Sequence, residues 1–154
     1  MMWEDYYRPK TLKEALDILA AHNGEARIIA GGTDLVLDLK NKSKRARYLV
    51  DIRGLEGMDV IEKKEGRIYL GAGVTHSQVA NSLLIREKAT ALAEAAAQVG
   101  SLQIRNVGTV VGNVVNAQPA ADTAVALVAL EAEAEILHID GRRELVKVED
   151  LYAG

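Results

Sequence analysis

One segment restricts the possible folds of this chain more than any other: residues 99–122, which read VGSLQIRNVGTVVGNVVNAQPAAD. It contains three glycines, three asparagines and a proline, interspersed among β-branched valines. Glycine and asparagine favour turns, whereas valine favours burial on a pleated surface. The segment is too irregular for a plain strand and too apolar for a solvent loop. We therefore predict a turning backbone that packs against an apolar partner.

Composition sets the size of the core and excludes several kinds of chemistry. The 154 residues are 49% hydrophobic, which suits one domain or two small lobes that share an interface. The net charge is −3, and the densest basic cluster, KNKSKRAR at residues 40–47, has no interleaved aromatic residue. That pattern predicts a solvated surface and no nucleic-acid partner. The chain has no cysteine, which excludes disulfides, iron–sulfur ligation and thiolate catalysis within it.

The hydropathy pattern gives no sign of targeting to a membrane or of export. No apolar run reaches the roughly 18 residues of a membrane span, and no apolar segment follows a basic N-terminus. We therefore expect a cytoplasmic protein with no membrane span.

The first third of the chain predicts a small parallel lobe over residues 1–54. Thr11 and Glu14 form a capping box before a helix that runs to about Ala20. Residues 27–30 then read as a buried strand, residues 35–40 as a short helix and residues 48–51 as a second strand. A helix between two short apolar strands is typical of a βαβ unit.

The remainder predicts a larger lobe over residues 55–154, mainly of antiparallel sheet with helices. Two hairpins are expected, one in which residues 58–62 and 67–71 flank a KKEG turn and one over residues 132–148 with an Asp-Gly turn. Helices are expected at residues 75–83, 87–99 and 121–130. The predicted fold class is α+β with two lobes.

The glycine pair Gly31-Gly32 is a candidate anion-binding turn. It follows the first predicted buried strand, and glycine lets backbone N–H groups converge on a phosphate because no Cβ blocks the approach. The segment lacks the lysine of a P-loop and is not G-x-G-x-x-G. An ordinary strand–turn–helix connection explains it equally well.

Two further features favour structural roles. Residues 71–76, GAGVTH, begin like a dinucleotide fingerprint, but His76 stands in place of the third glycine, and a tight turn explains them better. The histidines His22, His76 and His138 have no second ligand at metal spacing, which predicts surface or structural roles and no metal site. We find no arrangement of residues that suggests hydrolytic catalysis.

The segment at residues 99–122 has the properties of a nucleotide-cofactor cleft. Gly108 and Gly112 free the backbone, the valines offer apolar surface for a ring system, and Asp122 can accept hydrogen bonds from ribose hydroxyls. Two glycine-bearing loops, one in each lobe, would hold a pyrophosphate between them. A loop that merely covers the core is the alternative.

Three motifs together resemble a known family. AGGTDL (residues 30–35), LGAGVTHSQV (70–79) and QIRNVGTVVGNVVNAQPAADTAVALVAL (103–130) are similar to the FAD-binding subunit of molybdenum hydroxylases. This family includes the medium subunit of carbon monoxide dehydrogenase and the flavin domain of xanthine dehydrogenase. The resemblance extends over essentially the whole chain.

The resemblance implies an FAD cofactor in a cleft between two lobes, with four groups of binding residues. It implies that one segment wraps the pyrophosphate, that a second loop faces it, that one carboxylate binds the sugar region and that one helix end touches the cofactor. These residues are, respectively, Ile28, Ile29, Ala30, Gly31, Gly32, Thr33, Asp34 and Leu35; Thr109, Val110, Val111, Gly112 and Asn113; Asp122; and Val99.

The resemblance also implies partners and a division of chemical labour. In this family a molybdopterin-binding large subunit hydroxylates the substrate, and a small subunit passes electrons through [2Fe–2S] clusters to FAD, which reduces an external acceptor. The chain would then be the FAD-containing oxidoreductase subunit of a complex. No side chain needs to be catalytic, because the flavin carries the chemistry.

The sequence departs from the family pattern at two positions and in its length. Val111-Gly112 replaces a glycine pair, and glutamine replaces serine before Pro119. Family members continue into a C-terminal flavoprotein domain, so the chain is expected to be half of a split protein, a truncation or a degenerate copy. A non-catalytic assembly module that has lost FAD, or a binder of another nucleotide, stays open as an alternative.

Overall fold

The computed structural model describes residues 2–118 and 121–152. Within them the chain forms seven strands, β1 to β7: Asp5–Tyr7, Ala26–Ile29, Tyr48–Asp51, Ile61–Lys64, Arg67–Leu70, Glu133–Leu137 and Arg143–Lys147. It also forms eight α-helices, α1 to α8: Leu12–Ala21, Leu35–Lys40, His76–Asn81, Leu83–Lys88, Thr90–Gln98, Leu102–Arg105, Val110–Asn116 and Asp122–Ala129. The predicted mixture of helices and strands is confirmed.

The first three strands form a parallel sheet in the order β1-β3-β2. The central strand β3 supplies Leu49 and Val50, both fully buried, and α1 and α2 connect the strands. The βαβ prediction is therefore confirmed, with β1 as an additional strand. The prediction that residues 27–30 form a buried strand is wrong in part, because β2 lies at the sheet edge and Ile28 is 52% exposed.

Helix α1 begins with half of the predicted capping box. The Thr11 hydroxyl accepts a hydrogen bond from the Glu14 N–H at 3.1 Å. The Glu14 carboxylate, however, accepts from the N–H of Lys10 at 2.7 Å and not from that of Thr11. The Thr11 bond satisfies an N–H group that the first turn of the helix leaves without a partner, and the Glu14 bond fixes the residue that precedes the cap.

Both predicted hairpins are present. In β4–β5 the turn residues Glu65 and Gly66 have φ of 49° and 77°, the left-handed pair that a tight two-residue turn requires. In β6–β7 Gly141 takes the corresponding conformation with φ 87°. An ion pair between Arg67 and Glu133 connects the two hairpins.

The helical core is divided more finely than the sequence predicts. Ser82 ends α3 and caps α4, where its hydroxyl accepts from the N–H of Ile85 at 3.3 Å. Ala89, which is not helical, separates α4 from α5. Helices α3, α4, α5 and α8 enclose the largest hydrophobic cluster, which contains Val74, Val79, Ile85, Leu92, Ala93, Ala96, Val110 and Ala126. Within the described residues, no helix is long and apolar enough to cross a membrane.

The prediction of an irregular loop at residues 109–113 is wrong. Residues 102–105 and 110–116 form α6 and α7, each begun by a hydroxyl cap. Ser101 accepts from the N–H of Ile104 at 3.3 Å, and Thr109 accepts from that of Gly112 at 3.0 Å. Valine and asparagine have low helix propensity, so the caps and the packing of Val110 outweigh local preference here.

Asp51, at the end of β3, carries a buried carboxylate and is 5% exposed. Its carboxylate accepts from Tyr6 Oη at 2.8 Å, from Arg53 Nη2 at 2.8 Å and from the Arg53 N–H at 3.0 Å. Burial disfavours the charged form, but the bonds from Arg53 and Tyr6 outweigh it and lower the pKa of Asp51 to about 2.

We expect Asp51→Asn to lower the free energy of unfolding at pH 7 by about 1–3 kcal/mol, because it weakens the charged hydrogen bonds that a buried carboxylate accepts from Arg53 and Tyr6. Since the folded-state pKa lies below the unfolded value, this difference is present above pH 4 and disappears as the pH falls toward 2. Urea denaturation measures both. The control Asp17→Asn removes an exposed pair with Lys13, and a loss as large as that of Asp51→Asn would contradict the expectation.

Candidate functional site

Three short segments that are distant in sequence meet at one point. Residues 30–35 follow β2, residues 74–76 end at the first residue of α3, and residues 107–113 include the first turn of α7. A Cβ placed on Gly31 would lie 2.2 Å from the carbonyl oxygen of Val107 and 2.9 Å from the Cα of Gly108. Because a side chain cannot occupy that space, the backbone at Gly31 lies directly against the backbone of residues 107–108.

The turn at residues 31–33 presents unpaired backbone donors. Gly32 has φ +73°, a conformation that favours glycine. Within the described part of the chain, the N–H groups of Gly31, Gly32 and Thr33 donate to no acceptor. Consecutive N–H groups around a left-handed residue form a concavity that suits an anion.

A second backbone connection holds residues 74–76 against residues 108–110. The N–H of His76 donates to the carbonyl of Gly108, and the N–H of Val110 donates to the carbonyl of Val74, both at 3.1 Å. Thr75 and Thr109 thereby form an isolated antiparallel bridge. Each of these threonines also caps a helix, so the starts of α3 and α7 are held side by side.

The segment from Thr109 to Asn113 contributes less free backbone than expected. The amide of Gly112 donates to its own cap, Thr109, and the side chain of Val110 lies in the core at 1% exposed. Asn113 Oδ1 accepts from the Thr123 hydroxyl at 2.7 Å, which connects α7 to α8. Val111, half-buried in the first turn of α7, makes no polar side-chain contact.

The remaining predicted site residues lie at differing depths. Ile29 is buried against Leu35 and its neighbours, so neither side chain faces solvent freely, whereas Ile28 is exposed on the sheet edge. Val99 ends α5, and its carbonyl accepts from Arg105 Nη1 at 3.1 Å.

Two acidic residues complete the predicted set. Asp34 precedes α2 and Asp122 begins α8, and both are exposed. Both lie close enough to His76 for their charges to raise its pKa. Ala30 and Thr33 are half-buried beside the turn. The structure thus places Gly31, Thr33 and His76 around Gly108, and the charges of Asp34 and Asp122 act on the same histidine.

His76 was not among the predicted binding residues. It is 3% exposed, and its Nδ1 has no hydrogen-bond partner in the described part of the chain. Burial lowers the pKa of His76 and the Arg105 charge lowers it further, against smaller opposing effects of Asp122 and Asp34. The sequence signals for this residue were its place directly after the cap Thr75 and its membership of the motif LGAGVTHSQV. Neither signal shows that the ring is buried, because burial depends on segments distant along the chain.

The glycines before His76 have the structural role predicted for them. A Cβ on Gly71 would lie 2.3 Å from the carbonyl oxygen of Gly57 and 2.4 Å from that of Met58. The close approach that these glycines allow is therefore to the chain's own backbone.

An open groove of about 430 Å³ adjoins the first motif. It runs between α2 and the end of α7, and its walls include Asp34, Asp38, Lys44, Asn116 and Gln118. The predicted site residue Asp34 therefore borders both the groove and the surroundings of His76.

Comparison with known proteins agrees with this geometry. A family model described as "FAD binding domain in molybdopterin dehydrogenase" matches residues 2–154. The nicotinate dehydrogenase FAD-subunit of Eubacterium barkeri is 36% identical over 151 residues, covering 97% of this chain and 51% of that protein. The carbon monoxide dehydrogenase medium chain of Afipia carboxidovorans is 29% identical over 150 residues, covering 97% of this chain and 52% of that protein.

A solved structure shows the same fold. Quinoline 2-oxidoreductase from Pseudomonas putida 86 superposes with a TM-score of 0.92 at 28% identity, over 99% of this chain and 52% of that chain. The fold and the converging motifs thus define a flavin-binding module. The chain belongs to the family of FAD-binding domains of molybdopterin dehydrogenases. It spans about half the length of the relatives it matches.

The residues present fit FAD, the cofactor of this family. The unpaired amides of residues 31–33 suit a pyrophosphate, and the buried, unpaired Nδ1 of His76 marks a polar position that lacks a partner. Asp122 provides an exposed carboxylate near the same point.

We expect Gly31→Ala to disturb this junction, because its Cβ must displace backbone atoms of residues 107–108. The free energy of unfolding should fall by about 1–3 kcal/mol, the usual cost of overpacking, and FAD affinity should fall roughly tenfold or more. Urea denaturation and fluorescence titration with FAD measure the two effects.

Gly54→Ala is the matched control, because a Cβ there meets nothing within 4 Å and φ is not positive. It should change neither quantity appreciably. Equal behaviour of the two variants would show that the contact at Gly31 does not hold the site together.

Proposed function

We propose that this chain is the FAD-binding part of an oxidoreductase subunit in a molybdenum hydroxylase complex. In that role electrons arrive from [2Fe–2S] clusters of a small subunit and leave through FAD to an external acceptor. A molybdopterin-binding large subunit is the partner at which substrate reacts. The observation that carries the proposal is the direct contact of the AGGTDL turn with Val107 and Gly108 of the family motif at residues 103–130.

The proposed cofactor contacts follow from the geometry of the junction. The N–H groups of Gly31, Gly32 and Thr33 would bind the pyrophosphate, and the Thr33 hydroxyl would add a donor. The first turn of α7, with Thr109, Val111 and Asn113, would lie opposite.

Asp122 would accept hydrogen bonds from sugar hydroxyls, since it is exposed and lies near the same histidine as Asp34. Bound FAD supplies the electron-transfer chemistry at its isoalloxazine ring. The chain's own residues bind and orient it, and no thiolate for a metal cluster comes from this chain.

We also propose that the cofactor lies between two lobes, residues 1–54 and 55–154. The clusters around Leu49 and around Val50 form the first group and belong to the parallel sheet and its helices. The clusters around Val79 and around Val148 belong to the hairpins and later helices. Leu55 packs against Val50 of the first group, so the connection between the lobes begins on the surface of the parallel sheet.

The names of the relatives favour the same assignment of role. They include FAD subunits of nicotinate and xanthine dehydrogenases and medium chains of carbon monoxide dehydrogenase. These proteins act on different substrates, which fits a subunit that handles electrons and leaves substrate recognition to a partner.

Titration of the purified chain with FAD tests the proposal. We expect saturable binding of one FAD per chain, with a flavin spectrum that survives gel filtration. Asp122→Asn should weaken binding about tenfold, because a charged hydrogen bond to a sugar hydroxyl is lost. Asp17→Asn, on the exposed face of α1, should have no effect. The proposal is wrong if neither the chain alone nor the chain with its partner subunits retains FAD.

Val111 allows a second test, since it replaces a glycine of the family pattern. We expect Val111→Gly to tighten FAD binding by removing a side chain from the first turn of α7, at a helix cost of roughly 0.5 kcal/mol. Val115→Gly is the matched control, because Val115 lies in the same helix and is 77% exposed. Equal FAD affinity of both variants would show that Val111 does not restrict the cofactor.

A further inference from the structure

The buried imidazole of His76 has an unexplained polar atom. The ring is 97% buried, and Nδ1 makes no hydrogen bond to any described residue. Native proteins pair the great majority of buried polar atoms, so an exception requires a reason such as a ligand or a bound water. A packing role alone would be served better by leucine or phenylalanine, which carry no polar atom.

The position of the ring connects it to the proposed cofactor site. Its Cδ2 lies 3.4 Å from the point that a Cβ on Gly108 would occupy, and Thr33 Oγ1 lies 3.6 Å from the same point. The backbone N–H of His76 donates to the Gly108 carbonyl, which fixes the ring relative to the start of α7. The imidazole and the Thr33 hydroxyl therefore flank Gly108 together, where the two family motifs meet.

The electrostatic surroundings keep the ring neutral. Burial and Arg105 lower the pKa of His76, and Asp122 and Asp34 act in the opposite direction with smaller effect. A neutral imidazole has one N–H donor and one acceptor nitrogen. It can therefore bond a phosphate oxygen or a hydroxyl without bringing a net charge into the junction.

We propose that His76 is a further FAD-binding residue, whose Nδ1 gains its missing partner when the cofactor binds. The partner is an oxygen of the dinucleotide or a water that the dinucleotide holds in place. This inference rests on the proposed function and adds to it a side-chain contact from the motif LGAGVTHSQV.

Two substitutions separate this role from packing. His76→Leu removes both ring nitrogens at similar volume, and His76→Asn keeps an amide near the position of Nδ1. We expect the leucine variant to bind FAD about three- to tenfold more weakly, with an apoprotein melting temperature equal to or above that of the wild type. The asparagine variant should retain near wild-type affinity.

His138→Leu is the matched control. His138 follows β6, and its Nε2 bonds to Glu144 at 2.8 Å, in the hairpin rather than at the junction. It should leave the FAD dissociation constant unchanged. FAD titration by flavin fluorescence and thermal unfolding without FAD measure the two quantities for each variant.

The outcomes distinguish this inference from the function on which it rests. If the wild type binds FAD, and the leucine variant binds it equally but melts lower without it, His76 is a packing residue and the inference fails alone. If the wild type with its partner subunits binds no FAD, both the proposed function and the inference about His76 are wrong.

Nuclear magnetic resonance gives a measurement that needs no substitution. In the ¹⁵N-labelled wild type, the Nδ1 resonance of His76 should shift on FAD saturation, while that of His138 should not. An unchanged Nδ1 resonance at saturation would overturn the inference.

Discussion

The contact between Gly31 and the backbone of residues 107–108 is the constraint on which the rest of the site depends. A Cβ at position 31 would come within 2.2 Å of the Val107 carbonyl, so only glycine allows the two segments to touch. The contact brings the end of strand β2 against the segment that starts helix α7, although about 75 residues separate them. It therefore holds the turn with the unpaired amides of residues 31–33 next to the segment that leads into α7.

The second connection works through hydrogen bonds and not through close packing. Residues 74–76 and 108–110 exchange two backbone bonds at 3.1 Å, and the threonine in each segment caps the helix that follows. His76 is the first residue of α3, directly after the cap Thr75, and its N–H donates to the Gly108 carbonyl. It therefore lies where the starts of α3 and α7 are joined, and it is only 3% exposed there.

The sequence predicted those parts of the fold that depend on neighbouring residues. Helix α2 has the predicted bounds, and both hairpins turn at the predicted glycines, because hydrophobic period and turn chemistry are local signals. Helix α7 was predicted as a loop, since its valines and asparagines disfavour helix, and the exposure of Ile28 was missed because edge position depends on strand order. The site motifs came from family resemblance, whereas His76 required the packing of segments distant in sequence.

The sequence did not predict the helical conformation of residues 102–105 and 110–116, and the reason is energetic. Helices α6 and α7 have four and seven residues, too few to be stable in isolation. Their conformation therefore depends on side-chain caps at Ser101 and Thr109 and on contacts with Gly31 and with residues 74–76. A segment stabilised by its contacts rather than by its own propensity has a position that is set by its neighbours. The geometry of residues 102–116 thus depends on the contacts among residues 30–35, 74–76 and 107–113. A ligand bound where these three segments meet would stabilise all of them at once.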